Sequence, residues 1–100
     1  MSASRADEIR ARLQTALAPE RVEIEDESRL HAGHAGARAG GESHFRALVV
    51  AARFEGVGRV ERQRLVYAAL GPLMQGPGAI HALALRTLTP EEWRREGRDG

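Results

Sequence analysis

The segment HFRALVVAARF, from His44 to Phe54, places apolar side chains at both odd and even positions, and no other feature constrains the fold as strongly. Successive side chains of a β-strand point to opposite faces, so a strand that is apolar on both faces is expected at the centre of a sheet. The run RVEIEDE, from Arg21 to Glu27, alternates instead and predicts a half-buried strand with a solvated acidic face. IHALALRTL, from Ile80 to Leu88, predicts a third strand.

Helical patterns flank these strands. An apolar stripe with helical spacing predicts a helix from Arg5 to Leu17, which Ser4 caps and Pro19 ends. The same spacing predicts a second helix from Arg59 to Leu70, and Gly71-Pro72 then separates it from one short helical turn. A last short helix opens with a capping box that consists of Thr89 at the N-cap, Pro90 at N1 and Glu92 at N3.

The predicted order of elements is α-β-β-α-α-β-α, which indicates an α+β fold. A loop joins the first two strands, which should pair antiparallel, and a helical crossover joins the second strand to the third, which should lie parallel. We therefore expect one mixed three-stranded sheet with helices packed on one face. With 100 residues, of which 42% are hydrophobic, the chain suffices for one core. The prediction is a single domain over residues 1–100, with its core at about 5–95 and a frayed tail at 96–100.

Composition excludes several classes of function. The formal net charge is +1, from 15 basic and 14 acidic residues, so the chain as a whole is not a strong polyanion binder. It has no cysteine, which excludes disulfides and any metal site built on its own thiolates. No apolar run approaches the roughly 18 residues that a membrane span requires, and the first residues lack the apolar core of a signal peptide. We expect a cytoplasmic protein that has no membrane partner.

Three of the four histidines lie in the glycine-rich stretch HAGHAGARAGGESHF, at His31, His34 and His44, and the fourth is His81. Neutral imidazole is a common ligand of zinc, copper, nickel and iron. A histidine pair can also ligate one iron of a [2Fe–2S] centre whose other iron has thiolates, and here that sulfur would have to come from a partner. Each of these histidines can also have a structural role that needs no metal. His34 can be a solvated loop residue, His31 can belong to a turn, and His44 can anchor the start of a strand. Spacing alone does not favour a ligand role for His81.

No arrangement of residues predicts an enzyme active site. Ser28 and Ser43 lack a nucleophile-elbow context, GARAGG lacks the P-loop pattern, and the acidic run has no second cluster with which to form a two-metal centre. We therefore predict a non-enzymatic protein. The second helix carries a basic face of Arg59, Arg62 and Arg64, which suits contact with nucleic-acid phosphates, and an ordinary solvated face is the alternative.

Several blocks of the sequence, in order and spacing, resemble the BolA family: DES from Asp26, HAGHAG, GGESHF, RFEG, RQRLVYAAL and IHALALRTLTPEEW. The similarity covers about residues 5–95. It implies a fold similar to the class II KH domain, which agrees with the element order above. It also implies a partner, because BolA proteins pair with monothiol glutaredoxins. In such a pair a [2Fe–2S] cluster is bridged by a glutaredoxin cysteine, a glutathione thiolate and histidine from the BolA protein.

The resemblance also implies which residues bind the cluster. The family's C-terminal ligand histidine matches His81, and its loop ligand matches His31, with His34 as the alternate, so the chain resembles the histidine-loop subtype. The cluster would be shared with the partner, glutathione would come with the partner complex, and the chain alone would bind no cofactor tightly. The implied function is a non-enzymatic role in iron–sulfur cluster assembly or trafficking and in iron homeostasis. The chain would be a monomer alone and a heterodimer with glutaredoxin.

Two alternatives stay open at this stage. Some BolA proteins are DNA-binding transcriptional regulators, a role that would use the KH-like fold and the arginines of the second helix. Nucleic-acid-binding KH domains usually carry a GxxG loop, however, and neither Gly56-Val57-Gly58 nor Gly76-Pro77-Gly78 has this pattern. The other is a cluster-free module that docks on glutaredoxin through an apolar surface. The chain also departs from the family at two places, where Arg62-Gln63-Arg64 replaces the usual Arg-His-Arg and Gly71-Pro72-Leu73-Met74-Gln75 replaces an acidic helix end.

Overall fold

The computed structural model describes residues 4–27, 44–75, 80 and 82–96. Within these ranges, the helices and strands are α1 (Arg5–Leu17), β1 (Arg21–Asp26), β2 (His44–Val50), α2 (Arg59–Leu70), β3 (Ala82–Leu88) and α3 (Pro90–Arg95). Short 3-10 turns follow β2 and α2, at Ala52–Phe54 and Gly71–Met74. The predicted order of elements is confirmed, including the separate turn after α2. None of the helices in the described ranges is long and apolar enough to cross a bilayer.

The described strands form one sheet in the order β1-β2-β3. β1 runs antiparallel to β2 and β3 runs parallel to it, as the connections predicted. In this register His44 lies opposite Ala82. β2 takes the central position because both of its faces are buried, by Phe45, Ala47 and Val49 on one side and by Leu48 and Val50 on the other.

α1 and α2 pack on one face of the sheet. Ser4 and Asp7 begin α1 with a capping box, in which Ser4 Oγ accepts from the Asp7 N–H at 3.1 Å and the Ser4 N–H donates to the Asp7 carboxylate at 3.3 Å. The helix ends at Ala18, whose left-handed backbone (φ 46°) directly precedes Pro19. Between these helices and the sheet lies the main core, which includes Ile9, Leu13, Leu17, Phe45, Val49, Phe54, Val66 and Leu70.

α3 packs on the opposite side of the sheet, which we call the outer face. Side chains alternate along β2, so Leu48 and Val50 point away from α1 and α2. Trp93 of α3 packs against these two residues and Leu88 in a second, smaller cluster, and the Arg21 guanidinium lies 4.8 Å from the Trp93 ring centroid. The expectation of helices on one face therefore holds for α1 and α2 and not for α3, because the apolar outer-face residues need a cover of their own.

β2 is shorter than the predicted strand, which extended to Phe54. The Ala51 N–H donates to the Leu88 carbonyl at 3.0 Å, and the chain then leaves the sheet. The Phe54 N–H donates back to the Ala51 carbonyl at 3.1 Å, which closes the 3-10 turn and directs the Phe54 ring into the core, where it is fully buried. The third strand was predicted to begin at Ile80, and in the described residues it begins at Ala82. The Ile80 N–H donates to the Leu73 carbonyl at 2.8 Å and not to a neighbouring strand.

Candidate functional site

Two segments carry the expected ligands: one lies between Glu27 and His44 and contains His31 and His34, and the other ends with His81, directly before Ala82. These histidine-bearing segments join the sheet at the same end. The expected ligands themselves lie outside the described residues: His31, His34 and His81. Glu27, the last described residue before the first segment, donates its N–H to the carbonyl of His44 at 2.8 Å. Ala82, which follows the second segment, is the register partner of His44. Glu27, His44 and Ala82 therefore define one corner of the sheet, to which both segments are attached.

His44 is the one histidine that the structure describes. It begins β2 on the outer face and is half-buried. Its backbone carbonyl closes the β1–β2 ladder through the bond from Glu27. The side chain two positions along the same face is Arg46, which is exposed. His44 thus lies where the two histidine-bearing segments meet the sheet.

Glu23 and Glu25 of β1 and the adjoining Glu27 are paired with arginines and form a solvated strand face, as predicted. Arg21 Nη1 contacts the Glu23 carboxylate at 2.8 Å, and Arg46 Nε contacts Glu27 at 2.9 Å. The pair of Arg46 with Glu25 is longer, 3.9 Å. Within the described ranges, no group of three or more His, Asp or Glu side chains is arranged to hold a metal ion. The arginines Arg21 and Arg46 therefore balance much of the negative charge on this strand face.

The three arginines of α2 do not form one free basic face. Arg59 is exposed, and the Arg64 side chain is 72% exposed with a local ion pair to Glu61 at 2.9 Å. The Arg62 side chain is only 13% exposed, and its guanidinium is directed into the molecule. Contact with nucleic acid is therefore geometrically open to Arg59 and Arg64. The expected basic face of three arginines is therefore reduced to two, because the Arg62 guanidinium is paired with Glu92 at 2.7 Å, and contact with nucleic acid stays a prediction.

Arg62 connects α2 to three other parts of the fold. Its Nε donates to the Val57 carbonyl at 2.7 Å, and its Nη1 donates to the Thr87 carbonyl at 3.1 Å. Nη1 and Nη2 also donate to the two carboxylate oxygens of Glu92, at 2.7 and 3.3 Å, in the paired geometry that only a guanidinium offers. The guanidinium carbon lies 5.8 Å from the Phe54 ring centroid. Arg62 therefore holds the start of α2, the end of β3 and α3 together.

Sequence reasoning missed this ion pair because Arg62 and Glu92 are far apart in the chain. The one local signal was the capping box, which places the Glu92 carboxylate at the start of α3. There the Thr89 N–H donates to Glu92 Oε1 at 2.8 Å. The side-chain bond from Arg62 and this backbone bond lower the pKa of Glu92 from 4.5 to about 2.

The stabilising effect of Glu92 should disappear at strongly acid pH. Because its pKa in the folded chain lies below its ordinary value, the unfolded chain binds the proton first as pH falls. The contribution of Glu92 is complete above pH 4.5 and is lost between pH 4.5 and about 2. Urea unfolding of wild type and Glu92→Gln over this range measures it. The difference between their midpoints should be constant near neutral pH and should shrink below pH 4.5. A difference that persists unchanged at about pH 2 would contradict this account.

Comparisons with family models, with known protein sequences and with solved structures all indicate the same family. A family model described as BolA-like protein matches residues 13–92. The chain is 49% identical over 86 residues to BolA-like protein 1 of Mus musculus, a match that covers 86% of this chain and 58% of the mouse protein. It is 36% identical over 88 residues to the DNA-binding transcriptional regulator BolA of Haemophilus influenzae, covering 88% of this chain and 80% of that protein. The chain therefore spans less than two thirds of the mouse relative and most of the bacterial one.

The fold is likewise similar to solved structures. BolA1 from Arabidopsis thaliana superposes with a TM-score of 0.79 at 40% sequence identity, covering 92% of this chain and 98% of that one. Sequence similarity and fold similarity thus extend over nearly the whole chain, and the resemblance found in the sequence is confirmed. The chain belongs to the BolA-like protein family.

Proposed function

We propose that the chain is a non-enzymatic partner of a monothiol glutaredoxin, with which it shares a bridged [2Fe–2S] cluster in iron–sulfur cluster assembly or trafficking and iron homeostasis. The observation that carries the proposal is the attachment of both histidine-bearing segments at the corner of Glu27, His44 and Ala82. His81 adjoins Ala82 in the chain. His31 is four residues from Glu27, so covalent geometry limits the distance between their Cα atoms to about 14 Å. His81 and His31 are therefore each within four residues, along the chain, of a described residue at the same end of the sheet.

The ligand chemistry supports a cluster that is shared between two chains. This chain has four histidines and no cysteine. In [2Fe–2S] centres of mixed ligation, two histidines replace two cysteines on one iron and thiolates hold the other. We assign the histidine side to His81 and His31, with His34 as the alternate. The glutaredoxin cysteine and glutathione supply the sulfur, so the cluster is cargo of the complex rather than a resident group of this chain.

Reconstitution tests the proposal. The chain is mixed anaerobically with a monothiol glutaredoxin, glutathione, iron and sulfide, and the mixture is followed by size-exclusion chromatography and visible circular dichroism. We expect a cluster-containing heterodimer whose dichroism differs from that of glutaredoxin loaded alone, because nitrogen replaces sulfur on one iron. Omission of glutathione is the control and should prevent formation of the complex cluster. Identical spectra with and without the chain would refute the proposal.

Binding to duplex DNA is the second candidate function. The relative from Haemophilus influenzae is named a DNA-binding transcriptional regulator. On α2 of this chain, Arg59 and Arg64 are exposed and available to phosphates. The two functions would use different parts of the molecule, since α2 packs on the side of the sheet opposite the outer face.

DNA binding through α2 predicts a change in salt dependence. Removing both charges with Arg59→Ala and Arg64→Ala should reduce the slope of log affinity against log salt by about 2, because each phosphate contact on B-form DNA contributes about 0.9. Fluorescence anisotropy of a labelled duplex at several salt concentrations measures the slope. Arg94→Ala with Arg95→Ala removes two exposed charges from α3 and is the matched control, with an unchanged slope. Equal slopes for wild type and the α2 variant would exclude this interface.

A further inference from the structure

The outer face of the sheet is divided into a covered end and an open end. Among the described residues, Trp93 covers the end formed by Val50 and Leu88. Towards His44 the face carries a groove of ≈ 290 Å³. We call it the outer-face groove, and its lining residues are Glu23, Ile24, Glu25, Arg46 and Leu48.

The outer-face groove combines an apolar floor with an acidic rim. Leu48 is 9% exposed and forms part of the floor. At the rim, Arg46 Nε contacts the Glu27 carboxylate at 2.9 Å and lies farther from the Glu25 carboxylate, at 3.9 Å. The Glu25 side chain is 69% exposed. Glu25 therefore presents a weakly paired carboxylate to whatever binds above Leu48.

The size and charge of the groove favour a cationic protein side chain as its occupant. A groove of ≈ 290 Å³ has room for one or two side chains of a partner. Because its rim residues Glu23, Glu25 and Arg46 are exposed, it does not enclose a ligand as a small-molecule pocket does. Lysine and arginine can lay an apolar stem on a surface such as Leu48 while the charged group meets a carboxylate such as Glu25. Two carboxylates and one guanidinium line the groove, so it repels the phosphates of nucleic acid.

We propose that the outer-face groove binds a lysine or arginine side chain of the glutaredoxin and so forms part of its docking surface. The inference rests on the proposed function and specifies its interface. Continuity supports it, because the groove lies on β1 and β2, whose ends form the corner to which the histidine-bearing segments attach, and Arg46 is two residues from His44. A partner that holds a cluster at that corner extends over the neighbouring sheet face.

Charge reversal at Glu25 tests the groove. The chain is titrated into a monothiol glutaredoxin with glutathione by isothermal calorimetry at low and high salt. Glu25→Lys should weaken binding at least about ten-fold at low salt, because repulsion replaces attraction, and the deficit should shrink as salt rises. Glu25→Gln should also weaken binding, but by a smaller factor than Glu25→Lys. Glu61→Lys makes the same change in net charge on α2, and it should bind like wild type.

The outcomes separate the groove from the function on which it rests. If Glu25→Lys and Glu61→Lys weaken glutaredoxin binding equally, the groove proposal is wrong. The cluster proposal is then unaffected, since the wild-type chain still forms the complex. Wild-type affinity in Glu25→Lys would overturn the groove as well. Absence of any binding by wild type, together with absence of a cluster signal, would overturn both proposals.

Discussion

Replacement of Arg62 by methionine is expected to lower the free energy of unfolding by about 3 kcal/mol. Methionine keeps an apolar stem but removes the guanidinium, so the Val57 and Thr87 carbonyls and the Glu92 carboxylate lose the hydrogen bonds that Arg62 donates. Breaking a buried ion pair from one side costs about 3–5 kcal/mol. The Glu92 side chain is 37% exposed, so water compensates part of the loss and the lower end of that range applies.

Equilibrium urea unfolding at neutral pH measures this effect, and Arg64→Met is the matched control. Arg64 lies on the same helix and pairs with Glu61 at 2.9 Å, but its side chain is 72% exposed. Such surface pairs contribute at most about 1 kcal/mol, so the control should lose little stability. Arg62→Lys keeps the charge but cannot form the bidentate pair, so its free energy of unfolding should lie between those of wild type and Arg62→Met. Equal losses in Arg62→Met and Arg64→Met would show that the internal contacts of Arg62 are unimportant.

The second large effect is expected at His81. In the complex with glutaredoxin, His81→Ala should remove the dichroism that depends on histidine ligation. Loss of groups that only orient a ligand already costs about 10–100-fold in metal affinity, so loss of the ligand itself should weaken cluster retention by at least that much. His31→Ala and His34→Ala then identify the loop ligand, because one should behave like His81→Ala and the other like wild type.

His44→Ala is the control for the histidine series. The bond that links His44 to Glu27 is made by the backbone carbonyl, so the substitution removes an imidazole from the same corner while that bond remains possible. Its cluster spectrum should match wild type. A His81→Ala complex with the wild-type spectrum would show that His81 is not a ligand. Glutaredoxin binding without any cluster signal, unaffected by removal of the other three histidines, would instead favour the cluster-free docking module.

The parts of the fold that sequence analysis predicted correctly depend on residues close together in the chain. The N-cap at Ser4 and the capping box at Thr89 were predicted, each depends on a residue three positions away, and both are present in the structure. The break at Gly71-Pro72 is equally local, because a proline ring and a left-handed glycine interrupt a helix by themselves. The central position of β2 followed from its two apolar faces.

Predictions failed where a residue depends on a distant neighbour. The strand predicted to reach Phe54 ends at Val50, because the adjoining strand β3 ends at Leu88 and the core accepts the Phe54 ring through a turn. Arg62 was predicted to share one basic face of α2 with Arg59 and Arg64, but its side chain is only 13% exposed. Its carboxylate partner, Glu92, is 30 residues away, and no pattern in the sequence indicates that the two meet.

The sequence by itself determined the family, the order of helices and strands, the orientation of strand pairs and the absence of any thiolate ligand, because each of these follows from local spacing or composition. Only the tertiary structure decided which face α3 covers and that Arg62 is an internal connector while Arg59 and Arg64 are exposed. It also decided that the segments carrying the candidate ligands attach to one corner at Glu27, His44 and Ala82. The physical reason is that strand register and helix packing bring together backbone and side-chain groups whose separation along the chain leaves no periodic signal.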